Sequence, residues 1–409
     1  MIILKYSFII EIEVLTMIRR ESYLRKIHAY QDKPFIKILT GLRRVGKSVL
    51  LDQYVDELIN QGIHSEQILK LNFELPINFG ITNYVDLTKY VLDWSDNKTG
   101  SLYLFLDEIG RISEWEKAVN GFHSMSKFDI YITGSNADLL SSDLSTYLAG
   151  RYIELLVHPL SYKEFVQFHP KSTFLDYVTF GGIPSISLFQ LDYEPSMNAL
   201  RDSFRSAVFQ DVISRHSIRN PIILEKLIHY LFANTAKTFS ALSISNYFKS
   251  QRISASVDTI LNYLKLLSVA FLIYKVMRHD IVGKNILKTE EKYFIADHGL
   301  REAIVGNNGS SIELVLENIV YVELLRRGYQ VYIGKVNQFE IDFVAIRGSE
   351  KAYYQVSYLL ETTTTREREF KGLELVQDNY AKFVLSMDKV NFSQNGIIHK
   401  NVIDFLLED

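Results

Sequence analysis

The apolar residues in the first part of the chain occur in short uninterrupted runs. Such runs stand at Ile36–Thr40, Leu102–Leu106 and Ile130–Thr133, and stretches with apolar residues at helical spacing separate them. Continuous apolar runs of this length are typical of parallel strands that are buried on both faces of a sheet. We therefore predict a parallel α/β domain over residues 18–165.

After residue 165, helical spacing replaces the short apolar runs. Phe239–Ser245 leads into a short helix, and Ser254–Leu267 carries apolar residues on one helical face. A strand-like pair follows at Phe271–Val276 and Lys292–Ile295. Two helices followed by a hairpin predict a helical lid and winged-helix region over residues 166–300.

The last part of the chain returns to a mixture of helix and strand. Ile312–Leu325 has the pattern of an amphipathic helix that ends at Gly328, and strand-like segments follow it. These segments are Gln330–Ile333, Phe339–Ala345 and Ala352–Val356. Thr362–Glu369 is interpreted as a polar turn that enters a helix with a solvated face. The pattern predicts a further α/β domain over residues 301–409.

The composition is that of a globular chain. It has 409 residues, a net charge of -3, 47% hydrophobic residues and 23% charged residues, which disfavours disorder and polycationic binding along the whole chain. The chain has no cysteine, so disulfides, thiol nucleophiles and zinc–cysteine sites are excluded. A reducing compartment, the cytoplasm, is the default expectation.

Residues 1–17 are apolar but do not have the pattern of a membrane segment. Lys5, Glu11 and Glu13 interrupt the run, so it is too short to cross a bilayer. It also lacks the basic start and small-residue cleavage site of a signal peptide. We interpret it as a start-site extension that ends before Met17, or as an arm, and we expect no membrane partner.

A glycine-flanked segment follows the first apolar run. Residues 41–48 read GLRRVGKS, which matches G-x-x-x-x-G-K-S between a predicted strand and a predicted helix, the setting this motif requires. The glycines let backbone amides approach phosphate oxygens, Lys47 neutralises the β- and γ-phosphates, and Ser48 binds Mg²⁺. The side chains of Arg43 and Arg44 either contact the nucleotide or a neighbouring subunit or, as we expect, are solvated. The predicted nucleotide contacts are Gly41, Leu42, Arg43, Arg44, Val45, Gly46, Lys47, Ser48 and Val49.

Polar residues also follow the second and third apolar runs. Asp107 and Glu108 end the second run, where Asp107 is expected to hold Mg²⁺ and Glu108 to polarise the attacking water. Ser135 and Asn136 follow the third run, and they either contact the γ-phosphate or cap a helix. Arg151 either stabilises charge in the transition state or lies on the surface.

Together these segments resemble the AAA+-type ATPases of bacteria and archaea, and within them the group with an uncharacterised C-terminal region. The resemblance runs from about Tyr23 to the C-terminus and is carried, in this order, by GLRRVGKS, LFLDEIGRISEWEKAV, ITGSNADLLS and LAGRYIEL. It implies ATP binding, with slow or regulated hydrolysis, by parallel strands flanked by helices. By the same resemblance, Asp107 and Glu108 form the acidic pair, Asn136 is the candidate sensor and Arg151 the candidate finger.

Three polar residues of the C-terminal segment form a second constellation. Glu317 in the helix, Asp342 in the following strands and Gln355 on the next strand resemble the metal-binding frame of the PD-D/E-x-K nuclease superfamily. The resemblance implies a restriction-endonuclease-like domain in which carboxylates hold Mg²⁺ that activates water. Gln355 replaces an acid and Ser357 stands where the lysine belongs, so we expect the fold to be kept and cleavage to be lost. Lys335 and Lys351 are candidate spatial substitutes for that lysine.

Positive charge is concentrated in the middle of the chain. Residues 201–290 hold 13 Lys and Arg against 6 Asp and Glu. A winged helix places its basic residues near DNA phosphates, and the candidates are Lys249, Arg252, Lys284 and Lys288. The predicted second helix carries little positive charge, so a lid or protein contact is an equal alternative.

The predicted fold class is α/β: a P-loop parallel-sheet ATPase core, a helical winged-helix middle region and a restriction-endonuclease-like α/β domain. The predicted function is a Mg²⁺-dependent ATPase whose nucleotide state repositions C-terminal modules on a partner, either DNA or a protein. Two alternatives stay open, an ATP-gated DNA nuclease and an ATP-dependent interaction switch without DNA. Monomer and homo-oligomer are both compatible with the sequence.

Overall fold

A computed structural model describes residues 18–137, 148, 150–216, 218, 220–281, 283 and 285–408, with the backbone alone for residues 285–290. The predicted extension at 1–17, Lys284 and the side chain of Lys288 lie outside the described residues. The chain divides into two compact units. The first runs to Val157 and takes in Val269–Phe271, and the second comprises His158–Ser268 and Leu272–Asp409. The domain boundaries at residues 165 and 300 stay predictions.

The first unit alternates strands and helices. Its elements are α1 (Glu21–His28), β1 (Ile36–Thr40), α2 (Lys47–Asn60), β2 (Ile68–Asn72), α3 (Tyr84–Ser95), β3 (Leu102–Asp107), α4 (Trp115–Ser124), β4 (Phe128–Thr133) and β5 (Tyr152–Leu156).

The five strands form one parallel sheet in the order β2-β3-β4-β1-β5. Every residue of β1 and β3 is buried, as the continuous apolar runs predicted. Because β4 lies between β1 and β3, the residues that end these three strands lie side by side at the carboxyl edge of the sheet. The predicted parallel α/β core is therefore confirmed. The candidate residues of the loop, Asp107, Glu108 and Ser135 lie at or just after the ends of β1, β3 and β4.

The second unit begins with helices and ends with a mixed sheet. Its helical part contains α5 (Tyr162–Phe168), α6 (Phe174–Phe180), α7 (Tyr193–Ala207) with a π-helical continuation over Val208–Ile213, α8 (Pro221–Ala233), β6 (Thr238–Phe239), α9 (Ala241–Ser250) and α10 (Val257–Val269). The hairpin β7 (Ile273–Asp280) and β8 (Asn285–Ile295) follows. The remaining elements are α11 (His298–Ile304), α12 (Ile312–Arg326), β9 (Gln330–Val336), β10 (Phe339–Arg347), β11 (Glu350–Val356), α13 (Thr363–Glu374), β12 (Ala381–Ser386), β13 (Ile398–Asn401) and α14 (Val402–Leu407).

The hairpin of the middle segment is part of the C-terminal sheet. The strand order is β13-β12-β11-β10-β9-β7-β8-β6. Strands β7 and β9 pair in parallel, with Arg278 opposite Ile333 and Asp280 opposite Lys335. The sequence predicted two separate modules at this point, because local apolar patterns do not indicate which edge strand a hairpin will join. The pairing joins the β7–β8 hairpin to the C-terminal strands in one sheet.

Among the described residues, no helix is both long and apolar enough to cross a membrane.

Candidate nucleotide site

The loop between β1 and α2 depends on two glycines with positive φ. Gly41 has a φ of 136°, and a Cβ there would lie 2.2 Å from the carbonyl oxygen of Val157. Gly46 has a φ of 93° and immediately precedes α2. Residues with a side chain adopt such backbone conformations only at a cost in free energy. The path of the loop therefore requires the two glycines that the motif contains.

Lys47 lies inside the curve of this loop. Its side chain is buried, and Nζ donates hydrogen bonds to the carbonyl oxygens of Gly41 (2.9 Å) and Leu42 (3.1 Å). Helix α2 starts at Lys47, and no capping side chain bonds to its first turn, so the positive end of the helix dipole adjoins the loop. An ammonium group and the positive end of a helix thus converge on one concave loop.

The other residues of the loop divide into buried and exposed side chains. Leu42 and Val45 are buried in the core, so they can meet a nucleotide only through their backbone. Arg44 and Val49 are exposed. The expectation of a solvated side chain holds for Arg44 and fails for Arg43, as described below.

Asp107, at the end of β3, is completely buried and accepts hydrogen bonds from three side chains. Oδ1 accepts from the hydroxyls of Ser48 (3.0 Å) and Thr133 (2.6 Å), and Oδ2 accepts from the amide of Asn72 (2.8 Å). The donors come from α2 and from the ends of β4 and β2. The sheet order therefore surrounds this carboxylate with neutral donors, which satisfy it without an ion pair.

Glu108 follows Asp107 in a left-handed conformation, with a φ of 54°. Its backbone N–H donates to the Thr133 hydroxyl at 2.8 Å, so one threonine fixes both acidic residues. Burial raises the pKa of Glu108, although the positive charges of Lys47 and Arg43 oppose this rise. A carboxylate with a raised pKa is a stronger base than an exposed one, which suits it to accept a proton from water.

Arg43 connects the loop to two other segments at the same edge of the sheet. Its guanidinium donates to the hydroxyl of Ser135 (3.3 Å) and contacts Glu74 (3.4 Å), and its side chain is only 13% exposed. Glu74 also accepts from Arg111 at 2.7 Å. Burial alone would raise the pKa of Glu74, but the two arginines outweigh it and lower the pKa. The prediction of a solvated Arg43 is wrong, because its guanidinium contacts Ser135 and Glu74.

Ser135 and Asn136 are both buried immediately after β4. The backbone N–H of Gly134, the residue before them, donates to the carbonyl oxygen of Leu39, which fixes this segment beside β1. The structure thus brings Ser135 to the loop through Arg43, while the sensor role of Asn136 stays a prediction.

Arg151 lies at the opposite edge of the sheet. It precedes β5, its carbonyl oxygen accepts from Ile36 at the start of β1, and its guanidinium donates to Asn120. The loop follows the other end of β1, about 16 Å away along five residues of strand. The structure does not bring Arg151 to the site of its own chain, because it precedes a parallel strand whose carboxyl end faces the loop.

The C-terminal residues Glu317, Asp342 and Gln355, which the sequence analysis grouped by a resemblance, lie near one another. Asp342 accepts from the backbone N–H of Val356 at 2.8 Å, and its own N–H donates to the Gln355 side chain at 3.3 Å. The Gln355 amide donates to Glu369 at 2.9 Å. Thr362–Thr364, Glu367 and Arg368 are exposed at the start of α13, as the interpretation of a solvated face predicted, but Glu369 is buried, which corrects that interpretation at one residue.

A lysine from β8 lies among these acids. Nζ of Lys292 is 2.8 Å from Glu317, 2.8 Å from Glu340 and 4.0 Å from Asp342. Lys351, proposed above as a substitute, instead contacts Asp378 at 3.5 Å. We name the set Glu317, Glu340, Asp342 and Lys292 the C-terminal cluster.

Burial and charge act in opposite directions within this cluster. Burial lowers the pKa of Lys292, but the charges of Glu317, Asp342 and Glu340 outweigh it and raise that pKa. Burial raises the pKa of Glu317 and of Asp342. Burial also favours a raised pKa at Glu340, but Lys292 and Arg278 lower it. The ammonium of Lys292 therefore already neutralises part of the negative charge of these acids.

The described residues contain no group of three or more His, Asp or Glu side chains that could hold a metal ion by themselves. At the loop this is compatible with Mg²⁺, because Ser48 and Asp107 supply a hydroxyl and a carboxylate and the phosphates of a nucleotide supply further oxygens. At the C-terminal cluster, Lys292 already contacts the acids.

The candidate DNA contacts of the middle region are only partly described. Lys249 and Arg252, at and just after the end of α9, are exposed. At the start of α10, the Ser256 hydroxyl accepts from the backbone N–H of Thr259 at 3.1 Å, so it serves as a helix cap. DNA binding by this region stays a prediction.

Three residues that matter to the two sites did not stand out in the sequence. Thr133 and Asn72 each end a strand of the parallel sheet, and such strand ends meet at one edge, so a search of every strand end for polar residues would have found them. Lys292 is a charged residue next to an apolar strand segment, which signals an internal partner.

Comparison with known families matches two parts of the chain. Residues 33–166 match an AAA domain, and residues 171–311 match a domain of unknown function (DUF8612).

Two relatives cover most of the chain. An uncharacterised protein of Haemophilus influenzae is 39% identical over 403 residues, which is 96% of this chain and 99% of the relative. The uncharacterised protein MJ1544 of Methanocaldococcus jannaschii is 31% identical over 380 residues, which is 87% of this chain and 80% of the relative. Among solved structures, the Walker-type ATPase PABY2304 of Pyrococcus abyssi aligns with a TM-score of 0.49 and 16% identity, over 71% of this chain and 96% of that one.

Proposed function

Because the chain belongs to the family of its H. influenzae and M. jannaschii relatives and carries an AAA domain, we propose that it is a Mg²⁺-dependent ATPase. The observation that carries the proposal is the position of Thr133. Its hydroxyl donates to Asp107 and accepts from the backbone of Glu108, while Ser48 of the glycine-flanked loop donates to the same Asp107. These hydrogen bonds connect the loop, the oxygens that we propose to bind Mg²⁺ and the proposed general base Glu108 in one set.

Each residue of this set has a role in the proposed hydrolysis. Lys47 and the first amides of α2 bind the β- and γ-phosphates. Ser48 and Asp107 hold Mg²⁺, which neutralises charge on the phosphates when it is bound. Glu108 orients a water molecule toward the γ-phosphate and accepts its proton, since its raised pKa suits it to act as a base near neutral pH.

We also propose that the nucleotide state is transmitted away from the loop through Arg43. This arginine links the loop to Ser135 after β4 and to Glu74 after β2. A γ-phosphate that attracts the guanidinium would weaken both contacts. The segments after β4 and β2 would then change position with the nucleotide state, with Asn136 as the sensor next to Ser135.

The proposed output is a change in how the second unit binds a partner, with DNA as the first candidate. The order α8, β6, α9, α10, β7, β8 is compatible with a winged helix, and residues 201–290 carry the excess of basic residues described above. An ATP-dependent switch that binds a protein is the alternative.

Steady-state ATP hydrolysis tests this proposal. We expect turnover that requires Mg²⁺, that falls in Ser48→Ala and that is unchanged in Ser124→Ala, an exposed serine whose hydroxyl donates to the carbonyl oxygen of Asn120 in its own helix. Stimulation by duplex DNA would favour the DNA partner, and unchanged turnover with DNA would favour a protein partner. Hydrolysis that is equal in Mg²⁺ and in EDTA would contradict the proposal.

A further inference from the structure

The acids of the C-terminal cluster are arranged as in a metal site, but the cation among them is the ammonium of Lys292. Lys292 Nζ lies 2.8 Å from carboxylate oxygens of both Glu317 and Glu340. A divalent metal needs carboxylate oxygens at about 2.0–2.6 Å and would lie against this ammonium. Two like charges at such a separation exclude one another in a buried site.

The remaining polar groups of the frame are also engaged. The Gln355 oxygen accepts from the Asp342 backbone and its amide donates to Glu369. One Asp342 oxygen accepts from the Val356 N–H. The residues that are present therefore do not fit a divalent metal.

The same contacts connect the β7–β8 hairpin to the C-terminal elements. Lys292 of β8 contacts Glu317 of α12 and Glu340 of β10, and Arg278 of β7 contacts Glu340 at 2.5 Å. Next to Glu317, the buried Asn318 accepts from the backbone N–H of Ile295 (2.9 Å) and donates to its carbonyl oxygen (3.0 Å). Both strands of the hairpin are thus attached by polar contacts, those of Asn318 buried and those of Lys292 and Arg278 partly buried.

We propose that Lys292 takes the place of the divalent metal in the C-terminal cluster and ties the β7–β8 hairpin to α12 and β10. The hairpin and the C-terminal sheet then move as one metal-free body. This inference goes beyond the proposed ATPase and does not depend on it. It predicts that this frame does not cleave DNA by a metal-dependent mechanism, because the ammonium fills the position that the metal would need.

Metal binding provides the first test. Nucleotide-free wild type and Asp342→Asn are titrated with Mn²⁺, and free Mn²⁺ is measured by electron paramagnetic resonance. We expect both proteins to bind the same number of Mn²⁺ ions and neither to cleave duplex DNA. If wild type binds one Mn²⁺ more than Asp342→Asn, or shows cleavage that the substitution abolishes, the inference is overturned.

Hydrogen exchange of the β7 and β8 amides tests the tie. We compare Lys292→Met with Lys275→Met; the side chain of Lys275 lies on the same hairpin, contacts Glu291 and is 46% exposed. Loss of the buried cation leaves acids unpaired, so we expect about tenfold or faster exchange in Lys292→Met and a change within about twofold in Lys275→Met. Equal exchange in the two variants would contradict the inference.

A neutral pair keeps the test decisive if Lys292→Met fails to fold. Lys292→Met combined with Glu317→Gln removes the unpaired charge together with its partner. We expect the double variant to fold and to recover at least part of the protection of the hairpin. A double variant that is no better than Lys292→Met would show that the ion pair with Glu317 is not the tie.

Discussion

The two acidic sites of this chain each contain buried carboxylates and a lysine, but the lysine has different partners. In the loop, Lys47 donates to the carbonyl oxygens of Gly41 and Leu42, and Asp107 is satisfied by neutral donors. In the C-terminal cluster, Lys292 contacts Glu317 and Glu340 directly. Neutral donors leave the negative charge of a carboxylate available to a cation, whereas an ion pair cancels it. The partners of the lysine thus distinguish a site suited to bind metal and phosphate from one in which an ammonium already occupies the position of a metal.

The largest expected difference between the two sites is in turnover. Glu108→Gln removes the proposed base, so ATP hydrolysis should fall by about 10²- to 10⁴-fold while ATP binding is kept. Glu317→Gln, in the C-terminal cluster, should leave hydrolysis within about twofold, because that cluster takes no part in it. Single-turnover hydrolysis and nucleotide titration separate the two effects. Comparable losses in both variants would remove the distinction between the sites.

The neutral donors of the loop site provide the next prediction. Thr133→Val removes the hydroxyl that bonds to both Asp107 and Glu108, so turnover should fall about tenfold or more, as expected for loss of a buried hydrogen bond. Thr133→Ser keeps the hydroxyl and should restore most of the rate. If the acids are misplaced in Thr133→Val, kcat/KM should fall mainly through a lower kcat. A similar loss of turnover in Thr133→Val and Thr133→Ser would instead indicate that Thr133 has a packing role.

The charges near Glu108 predict a shift in pH dependence. The folded pKa of Glu108 is raised, so hydrolysis should be lost as pH falls through that value, when the carboxylate becomes protonated. Arg43 lowers this pKa, so Arg43→Ala should move the acid limb of the pH–rate profile to higher pH. A shift to lower pH would contradict the assigned electrostatics. Glu108→Gln should show no such limb at its residual rate.

The smallest effect is expected at Arg151. Arg151→Ala should change turnover by less than about twofold, because the side chain bonds to Asn120 at the opposite edge of the sheet from the loop. The rate is measured over a range of protein concentrations. A large loss that grows with concentration would mean that Arg151 acts on a neighbouring copy and would revise its role.

Much of the first unit could be predicted from the sequence. The runs Ile36–Thr40 and Leu102–Leu106 are strands because a parallel sheet buries both faces, and Gly41 and Gly46 have the positive φ that the motif needs. The contacts of Thr133 could not be predicted, because they depend on β4 lying between β1 and β3. Strand order is a property of the assembled sheet and leaves no local pattern.

Less of the second unit was accessible from the sequence. A family resemblance grouped Glu317, Asp342 and Gln355, and the structure places them near one another. The sequence signals an internal partner for Lys292 but not which one, because Lys292 lies 25 residues before Glu317 on a strand that was assigned to another module. Its partners follow from the pairing of β7 with β9, a long-range contact that the apolar pattern does not specify.

Binding of Mg²⁺ and ATP to wild type and Lys47→Ala, measured by isothermal titration calorimetry, tests the central claim most directly. The account predicts about hundredfold weaker binding in Lys47→Ala, since a buried ammonium is removed from the phosphates, and unchanged binding in Lys89→Ala, an exposed lysine of α3. Equal affinity for ATP in wild type and Lys47→Ala would contradict the assignment of the nucleotide site.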